Sequence, residues 1–528
     1  MLRGNWREAM GWGSPRATAC WIVAIAVVAA LLLAAPGQTV SARYLNDLMM
    51  FLDGAHRIVS GQVPHRDFHT PMGAVTNGLP AIGLWLTGSL GAAMPTGVGL
   101  LILALAPVMA YVLTSRLRPA FALPMAVYLS LILAAPANLG ESPGALSFAM
   151  FFNRIGWAAL SLLLILFLPP RIGPRVAADG ICAALLTLLM LYTKASFGLV
   201  AAGFLACLLL DHARRPWAAL ALAATAAVTL ALEAIWRLPS AYAVDLAQAL
   251  HASGAVRGGI DNILSSIAGN LLDWVAFAIV AAAAAVALRD WRLLLFLGFC
   301  GGAGLIILNQ NFQSAGIVTL AAGAVVAAEA VARRSAAADG PGARAILAGA
   351  CVMLLVLLVP MAIGRTIALA THVALASTKP AHRFALPRLD RIVLADTGTV
   401  HDATYTTKYV ETLDDGARAL SALGEKASHV TVLDFVNAFT AGLGLPPPRG
   451  DYSVSDYERT FDRAHHLPAE TVLQDARIVM EPKWPLDQVG LKAYLELYAP
   501  YLASHFALVR ETPSWRIYAR QDAAVPSG

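Results

Sequence analysis

The densest run of reactive side chains in this sequence is NDLMMFLDGAHRIVSGQVPHRDFHTPMG, Asn46 to Gly73, which holds Asp47, Asp53, His56, Arg57, His65, Arg66, Asp67 and His69 directly after an apolar run. Charged groups held at a membrane boundary and facing the protein are costly to desolvate, so they are candidates for function. The competing reading is a solvated amphipathic connector whose Asp and Arg pair with each other. His65-x-Asp67-x-His69 has the donor types for a divalent cation. Ligands at i, i+2 and i+4 suit a strand or an irregular loop, and no further ligand is legible, so no cofactor is assigned and a divalent cation stays open.

Other chemistry-bearing residues sit between apolar runs. Asn153 and Arg154 lie in Phe151-Phe152-Asn153-Arg154-Ile155-Gly156-Trp157, just before a span. A guanidinium there presents paired donors to a phosphate, or else snorkels to headgroups. Lys194 stands in a turn with no acidic neighbour in sequence, which suits a phosphate partner. Asn309-Gln310-Asn311-Phe312-Gln313 is an amide-rich turn, able to bond a sugar or merely solvated. The stretch Leu238–Ile267 carries Asp245, His251, Arg257 and Asp261, and its Ser253-Gly254 and Gly258-Gly259 pairs suggest a mobile cover or an ordinary linker.

These residues are set in an unusually apolar chain: 528 residues, 58% hydrophobic and 13% charged, with mean hydropathy +0.64. Soluble domains carry nearer a quarter charged residues, so the fold class is a polytopic α-helical membrane protein. A span needs roughly 17 to 25 apolar residues. Candidates are 18–36, 74–90, 97–114, 120–136, 155–170, 177–193, 196–210, 217–236, 268–288, 293–309, 313–331 and 345–368. After residue 380 the texture turns to mixed charge, with an alternating strand at His429–Val436, the turn LPPPRGD (Leu445–Asp451), the pair His465-His466 and a terminal strand Trp515–Arg520. We read residues 1–379 as a transmembrane domain with a first outer loop at 37–73, and 380–528 as a soluble α/β domain. In the latter no nucleophile triad, phosphate-cradling Gly loop or metal spacing assembles, although Asp396–Asp402 gathers polar residues, and its expected role is acceptor recognition or support. The five cysteines all fall in apolar runs and read as small core residues.

Residues 380–528 hold 19 Asp and Glu against 15 Lys and Arg, leaving 14 against 23 for residues 1–379. A basic excess in short loops marks the cytoplasmic side, and without aromatic interleaving it gives no sign of nucleic acid. Arg3, Arg7 and Arg16, with the loops at Arg116/Arg118, Arg171/Arg175, Arg214/Arg215, Arg289/Arg292 and Arg333/Arg334, are therefore expected inside. The loops at 137–154, 237–267 and 309–314 and the C-terminal domain then fall outside. That alternation holds if 74–90, weakened by Asn77, Gly78, Pro80 and Gly83, is re-entrant or lies in the interface, giving eleven spans. Twelve spans with one exception to the rule is the alternative. The N-terminal run reads as an uncleaved first helix. From Asp47 to Gly61, Leu48, Phe51, Leu52, Ala55, Ile58 and Val59 share one helical face, with Asp53, His56, Arg57 and Ser60 opposite. The pattern predicts an interface-lying helix ended by Gly61 and Pro64.

The spacing Asp47-x3-Phe51-x9-Gly61-x-Val63-Pro64-His65-Arg66-Asp67-Phe68 resembles the first extracytoplasmic loop of bacterial membrane glycosyltransferases of the GT-C superfamily, the family 39-like group of protein O-mannosyltransferases and aminoarabinose transferases. His65 stands where that pattern usually has Tyr, and Pro71-Met72-Gly73-Ala74 follows its last element loosely. The resemblance implies inverting transfer of a sugar from a polyprenyl-phosphate donor to a glycan, lipid or protein acceptor at the outer face of a bacterial inner membrane. It makes Asp47 the base that removes the acceptor proton. Asp67 becomes a second carboxylate, for acceptor positioning or as a metal ligand. His65, Arg66, Asn153, Arg154 and Lys194 are the substrate-binding candidates. Two other readings stand beside it: a lipid or polysaccharide transporter, which should show inverted halves and mid-membrane charges, and an assembly protein whose outer domain binds partners.

Overall fold

The structure, a computed structural model, describes residues 14–171, 173, 175–252, 259–310, 313, 315–337, 341–396 and 400–521. Arg3 and Arg7, Ser253-Gly254, Arg257, Gly258, Asn311, Phe312 and positions 397–399 lie outside the described residues.

Helix α1 (Pro15–Ala34) leads into a short strand β1 (Thr39–Ser41) and then α2 (Leu45–Val59) and α3 (Ala74–Thr87). The bundle continues with α4 (Leu90–Arg116), α5 (Pro119–Ala134), α6 (Phe151–Ile165), α7 (Val176–Thr193), α8 (Ala195–Leu208), α9 (Arg215–Trp236), α10 (Leu238–Ala252), α11 (Ile260–Gly269), α12 (Leu271–Leu288), α13 (Trp291–Asn309), α14 (Val318–Ala337) and α15 (Pro341–Ala376). The C-terminal region adds β2 (Ile392–Leu394), α16 (Val400–Ser421), β3 (Val430–Val432), α17 (Phe439–Leu443), α18 (Ala469–Leu473), β4 (Ile478–Pro482), α19 (Gln488–His505), β5 (Phe506–Glu511) and β6 (Trp515–Arg520).

Among the described residues, seven helices are long and apolar enough to cross a membrane: α1, α4, α7, α9, α12, α13 and the Arg344–Ala376 part of α15. The sequence reading expected eleven. The difference lies in α5, α6 and α8, apolar but only 14 to 16 residues long, and in α14, which carries Glu329, Arg333 and Arg334. All four pack within the same bundle. The segment read as re-entrant becomes α3, 14 residues long and so only about 21 Å. Its start is tied to the end of α7 by Gly73 N–H donating to the Thr193 carbonyl at 3.1 Å. It then runs back alongside α4, where Gly83 and Gly97 allow backbone-to-backbone contact that a Cβ would block.

Helix α4 defines the two ends of the bundle. At its start, Thr39 Oγ1 donates to the Gly91 carbonyl at 2.6 Å, beside the β1–β2 pairing that joins the first loop to the C-terminal region. At its other end the basic loops meet. Arg333 donates to the carbonyls of Pro169 and Arg116, Arg171 to that of Leu117 and Arg214 to that of Phe167. Arg116 also pairs with Asp179 at 2.7 Å. The basic loops and the C-terminal region thus occupy opposite ends.

In the C-terminal region a four-stranded sheet runs β3-β4-β6-β5, with β3 and β4 parallel and the rest antiparallel. Phe439, Trp515 and Ile517 join the core that continues into the bundle, whereas Phe461, Tyr494 and Tyr498 build a second cluster on the opposite side. Bundle and C-terminal region are therefore held by shared apolar packing as well as by strand pairing.

Candidate active site

Helix α2 is amphipathic, as the sequence requires, but its polar face is covered by protein. Asp53, His56 and Arg57 are all buried. Arg57 Nε donates to Asp53 Oδ2 at 2.6 Å, and its two terminal nitrogens donate to Asp451 at 2.7 and 3.1 Å. Arg57 also reaches the Pro448 carbonyl at 2.8 Å, and Thr440 donates to Asp53 at 2.8 Å. His56 Nε2 lies 2.8 Å from the Leu445 carbonyl, and Gln62 donates to those of Pro447 and Pro448. The LPPPRGD turn is thus the receptor for α2, and the expected interface-lying helix is instead a docking helix. The physical reason is pairing: a guanidinium can be buried when carboxylates and carbonyls take its donors.

The polar loop after α2 is fixed in the same way. Asp67 accepts from Val63 N–H at 2.7 Å, from Arg66 at 2.9 Å and from Arg449 at 3.0 Å. Burial opposes its ionisation, yet these donors outweigh it and hold its carboxyl below the usual range. Arg66 itself is exposed. His65 and His69 each place Nδ1 on Asp245 of α10, at 2.8 and 2.7 Å, and Thr70 N–H donates to the same carboxylate at 3.0 Å. The His65 ring also lies 4.6 Å from that of Tyr242. His65 and His69 share Asp245 while Asp67 bonds Arg66 and Arg449, and among the described residues no group of three His, Cys, Asp or Glu is placed to hold a metal. The donor set does not fit a cation.

Asp47 differs from these. It stands in the first turn of α2, half-buried, in the wall of a cavity of about 280 Å³. Lys194 and Asn153 line the same cavity, with Lys194 Nζ 3.3 Å from Asn153 Oδ1 and 5.0 Å from the Phe152 ring centre. Apolar walls come from Met50, Met72, Met150, Leu199, Leu246 and Leu250. The C-terminal region supplies Asp456, Arg459 and Thr460, with Arg459 donating to Asp456 at 2.9 Å. Burial, and then the Asp456 carboxylate, push the Asp47 carboxyl up to about 7, with Arg459 opposing.

Backbone conformation sharpens the placement. Tyr44, just before α2, and Met150, just before α6, both have left-handed φ, 55° and 53°. Such conformations are unfavourable for bulky residues and persist where surrounding structure imposes them. They aim the first turns of the two helices that carry Asp47 and Asn153 at one cavity.

The expected site residues therefore separate. Asp47, Asn153 and Lys194 come together. His65, Arg66 and Asp67 do not line the cavity, because their side chains hold the loop, α10 and the LPPPRGD turn. Arg154 also turns away, donating to the carbonyls of Leu133 and Ala135 where α5 ends. The 238–267 stretch, read as a cover or linker, contains α10, which forms one cavity wall. Gln310 of the amide-rich turn reaches the cavity as well. Asp456, Arg459 and Thr460 escaped the sequence reading, since an Asp and an Arg three apart look like any solvated helical pair.

No family model matches the chain, and no curated protein matches it. Among solved structures, the crystal structure of ArnT from Cupriavidus metallidurans in the apo state is similar, with a TM-score of 0.47 and 14% identity, covering 95% of this chain and 98% of that one.

Proposed function

We propose that this chain is an inverting membrane glycosyltransferase, moving a sugar from a polyprenyl-phosphate donor to an envelope acceptor at the outer face of a bacterial inner membrane. The observation that carries the reading is Asp47, raised to about 7 by burial, in a cavity that also presents Lys194. The resemblance of the Asp47–Phe68 spacing to GT-C enzymes supports it. In this mechanism the acceptor hydroxyl oxygen attacks the anomeric carbon and Asp47 takes its proton. The bond from that carbon to the phosphate oxygen breaks, and the lipid phosphate leaves with the electron pair. A base whose pKa lies near the working pH accepts the proton most effectively. Lys194, held by Asn153, is available to attract the phosphate, and Arg459, paired with Asp456, is a second cation in the lining. The methionine and leucine walls suit the first isoprene units.

The test is mass spectrometry of envelope glycans and glycolipids in three strains: deletion, deletion with the native chain, and deletion with Asp47→Asn at matched abundance. Loss of one sugar from one glycan, restored by the native chain and not by the variant, is the expected result. Full restoration by Asp47→Asn removes Asp47 as the base. No change in any strain favours a transporter or assembly role.

A further inference from the structure

Outside the lining of the Asp47 cavity is a basic cluster that the proposed transfer does not use. Arg154 on α6, Arg365 and His372 on α15, and Asn138 in the loop after α5 are 1%, 3%, 0% and 4% exposed. Arg365 and His372 are seven residues apart and so share a helix face. The Phe148 ring centre is 5.8 Å from the Arg154 guanidinium carbon and 6.3 Å from the His372 ring, which places both around one aromatic. Arg365 donates to the Ala137 carbonyl at 2.6 Å and to that of Glu141 at 3.4 Å, while Arg154 takes the Leu133 and Ala135 carbonyls of the same segment.

Several of their remaining polar atoms have no partner among the described residues. Arg154 Nε and Nη2, Arg365 Nε, both ring nitrogens of His372 and both amide atoms of Asn138 are buried without a hydrogen bond. Charge is equally unbalanced. Arg154 has Arg365 as its charged neighbour and His372 has Arg154, and neither makes an ion pair with a carboxylate among the described residues. The carboxylate that acts on Arg365 is Glu141; its Oε1 is bonded by Tyr44 and lies 3.6 Å from Arg43, and its Oε2 is buried without a hydrogen bond among the described residues. A buried guanidinium without a counter-charge is strongly unfavourable, so Arg154, packed with a second guanidinium, calls for an anion.

Which anion follows from the free atoms. Nε and Nη2 form the side-on edge of the Arg154 guanidinium, the fork whose spacing matches two oxygens of one phosphate or carboxylate. We propose that Arg154, Arg365, His372 and Asn138 form an oxyanion site, distinct from the Asp47 cavity, that takes a phosphate group. Free phosphate and the headgroup of an anionic lipid present the same chemistry. Arg365 is eleven residues from the end of α15 at Ala376, roughly 16 Å along the helix, which keeps the cluster within headgroup reach. The proposal stands or falls independently of the transferase reading.

The experiment is thermal unfolding of the purified full chain, delipidated in detergent, with gluconate as the reference at matched ionic strength. Probes are inorganic phosphate, short-chain phosphatidic acid and, as a lipid without phosphate, short-chain diacylglycerol. The native chain is compared with Arg154→Lys, which keeps the charge and loses the fork, and with His372→Gln. Expected is a rise in Tm of several degrees with phosphate or phosphatidic acid and none with diacylglycerol. Half-saturation should move about tenfold higher in Arg154→Lys, and upward in His372→Gln. A response to inorganic phosphate identifies a free-anion site; a response confined to phosphatidic acid identifies a lipid site. Equal Tm in gluconate and both phosphate probes, or responses unchanged in the variants, overturn the proposal. If Arg154→Lys does not fold, His372→Gln decides.

Discussion

Arg57 and Asp451, 394 residues apart in sequence, meet through two parallel hydrogen bonds of 2.7 and 3.1 Å in a fully buried setting. This contact, with Asp53 on the remaining side of the guanidinium, locks the first loop to the C-terminal region and so fixes the helix whose first turn carries Asp47. Removing one partner leaves an uncompensated buried charge, a loss of about 3–5 kcal/mol. Arg57→Met is expected to lower Tm markedly and to open residues 445–452 to limited proteolysis. An unchanged cleavage pattern would count against the docking role.

Asp47 sets the pH response. Its carboxyl is raised to about 7, so the ionised, base-competent fraction falls as pH drops below that value. For the native chain, kcat/KM should decline about tenfold per unit well below pH 7. Asp47→Asn should lose roughly 100- to 10,000-fold of activity, the range for a positioned base. Stability moves the other way. A carboxyl with a raised folded pKa favours folding below its unfolded value of about 3.9, and that contribution is lost as pH rises through 7. Asp47→Asn should therefore raise Tm at pH 8 and leave it nearly unchanged at pH 4.

Lys194 is argued to attract the donor phosphate. Charge-assisted hydrogen bonds are worth about 1.5–3 kcal/mol, so Lys194→Ala should lower kcat/KM for a short-chain polyprenyl-phosphate sugar roughly 10- to 100-fold. Lys194→Arg should recover part of that loss. Asn153→Ala, which removes the 3.3 Å contact to Lys194, should raise KM for the donor more than it lowers kcat. Equal donor kinetics in all three variants would remove this corner from the site.

Asp245 holds α10 over the cavity through His65, His69 and Thr70. Burial opposes its ionisation, but the two imidazole bonds outweigh that and keep its carboxyl below the usual range. A depressed folded pKa gives stability that is present above the unfolded value of about 3.9 and lost as pH falls through the folded one. Hydrogen exchange in 238–252 should stay slow from pH 8 to 5, and Asp245→Asn should speed it there while leaving α4 and α5 unchanged. Equal acceleration throughout the bundle would mean a global rather than a local effect.

The helical elements were legible because hydropathy runs and breakers specify them locally: the candidate spans at 97–114, 177–193 and 217–236 fall within or against α4, α7 and α9. Trp515–Arg520 is a strand, as read from the sequence, and it lies between β4 and β5 inside the sheet. What the sequence left open has one character. Asp53 and Arg57 pair with each other as one reading allowed, but the further partners of Asp53, His56, Arg57, His65 and Asp67, from Thr440 to Asp451 and at Asp245, are far away in sequence.

What the sequence by itself determined, then, was a membrane-spanning helical bundle and a mixed α/β region after residue 380. Hydrophobic periodicity acts over a few turns, and a motif acts over its own spacing. Only the tertiary structure decided which charges are spent on each other and which face a cavity. Hydrogen-bond partners and burial depend on chain segments brought together by packing, and no local pattern records that Arg57 will find Asp451 while Asp47 and Lys194 line one cavity.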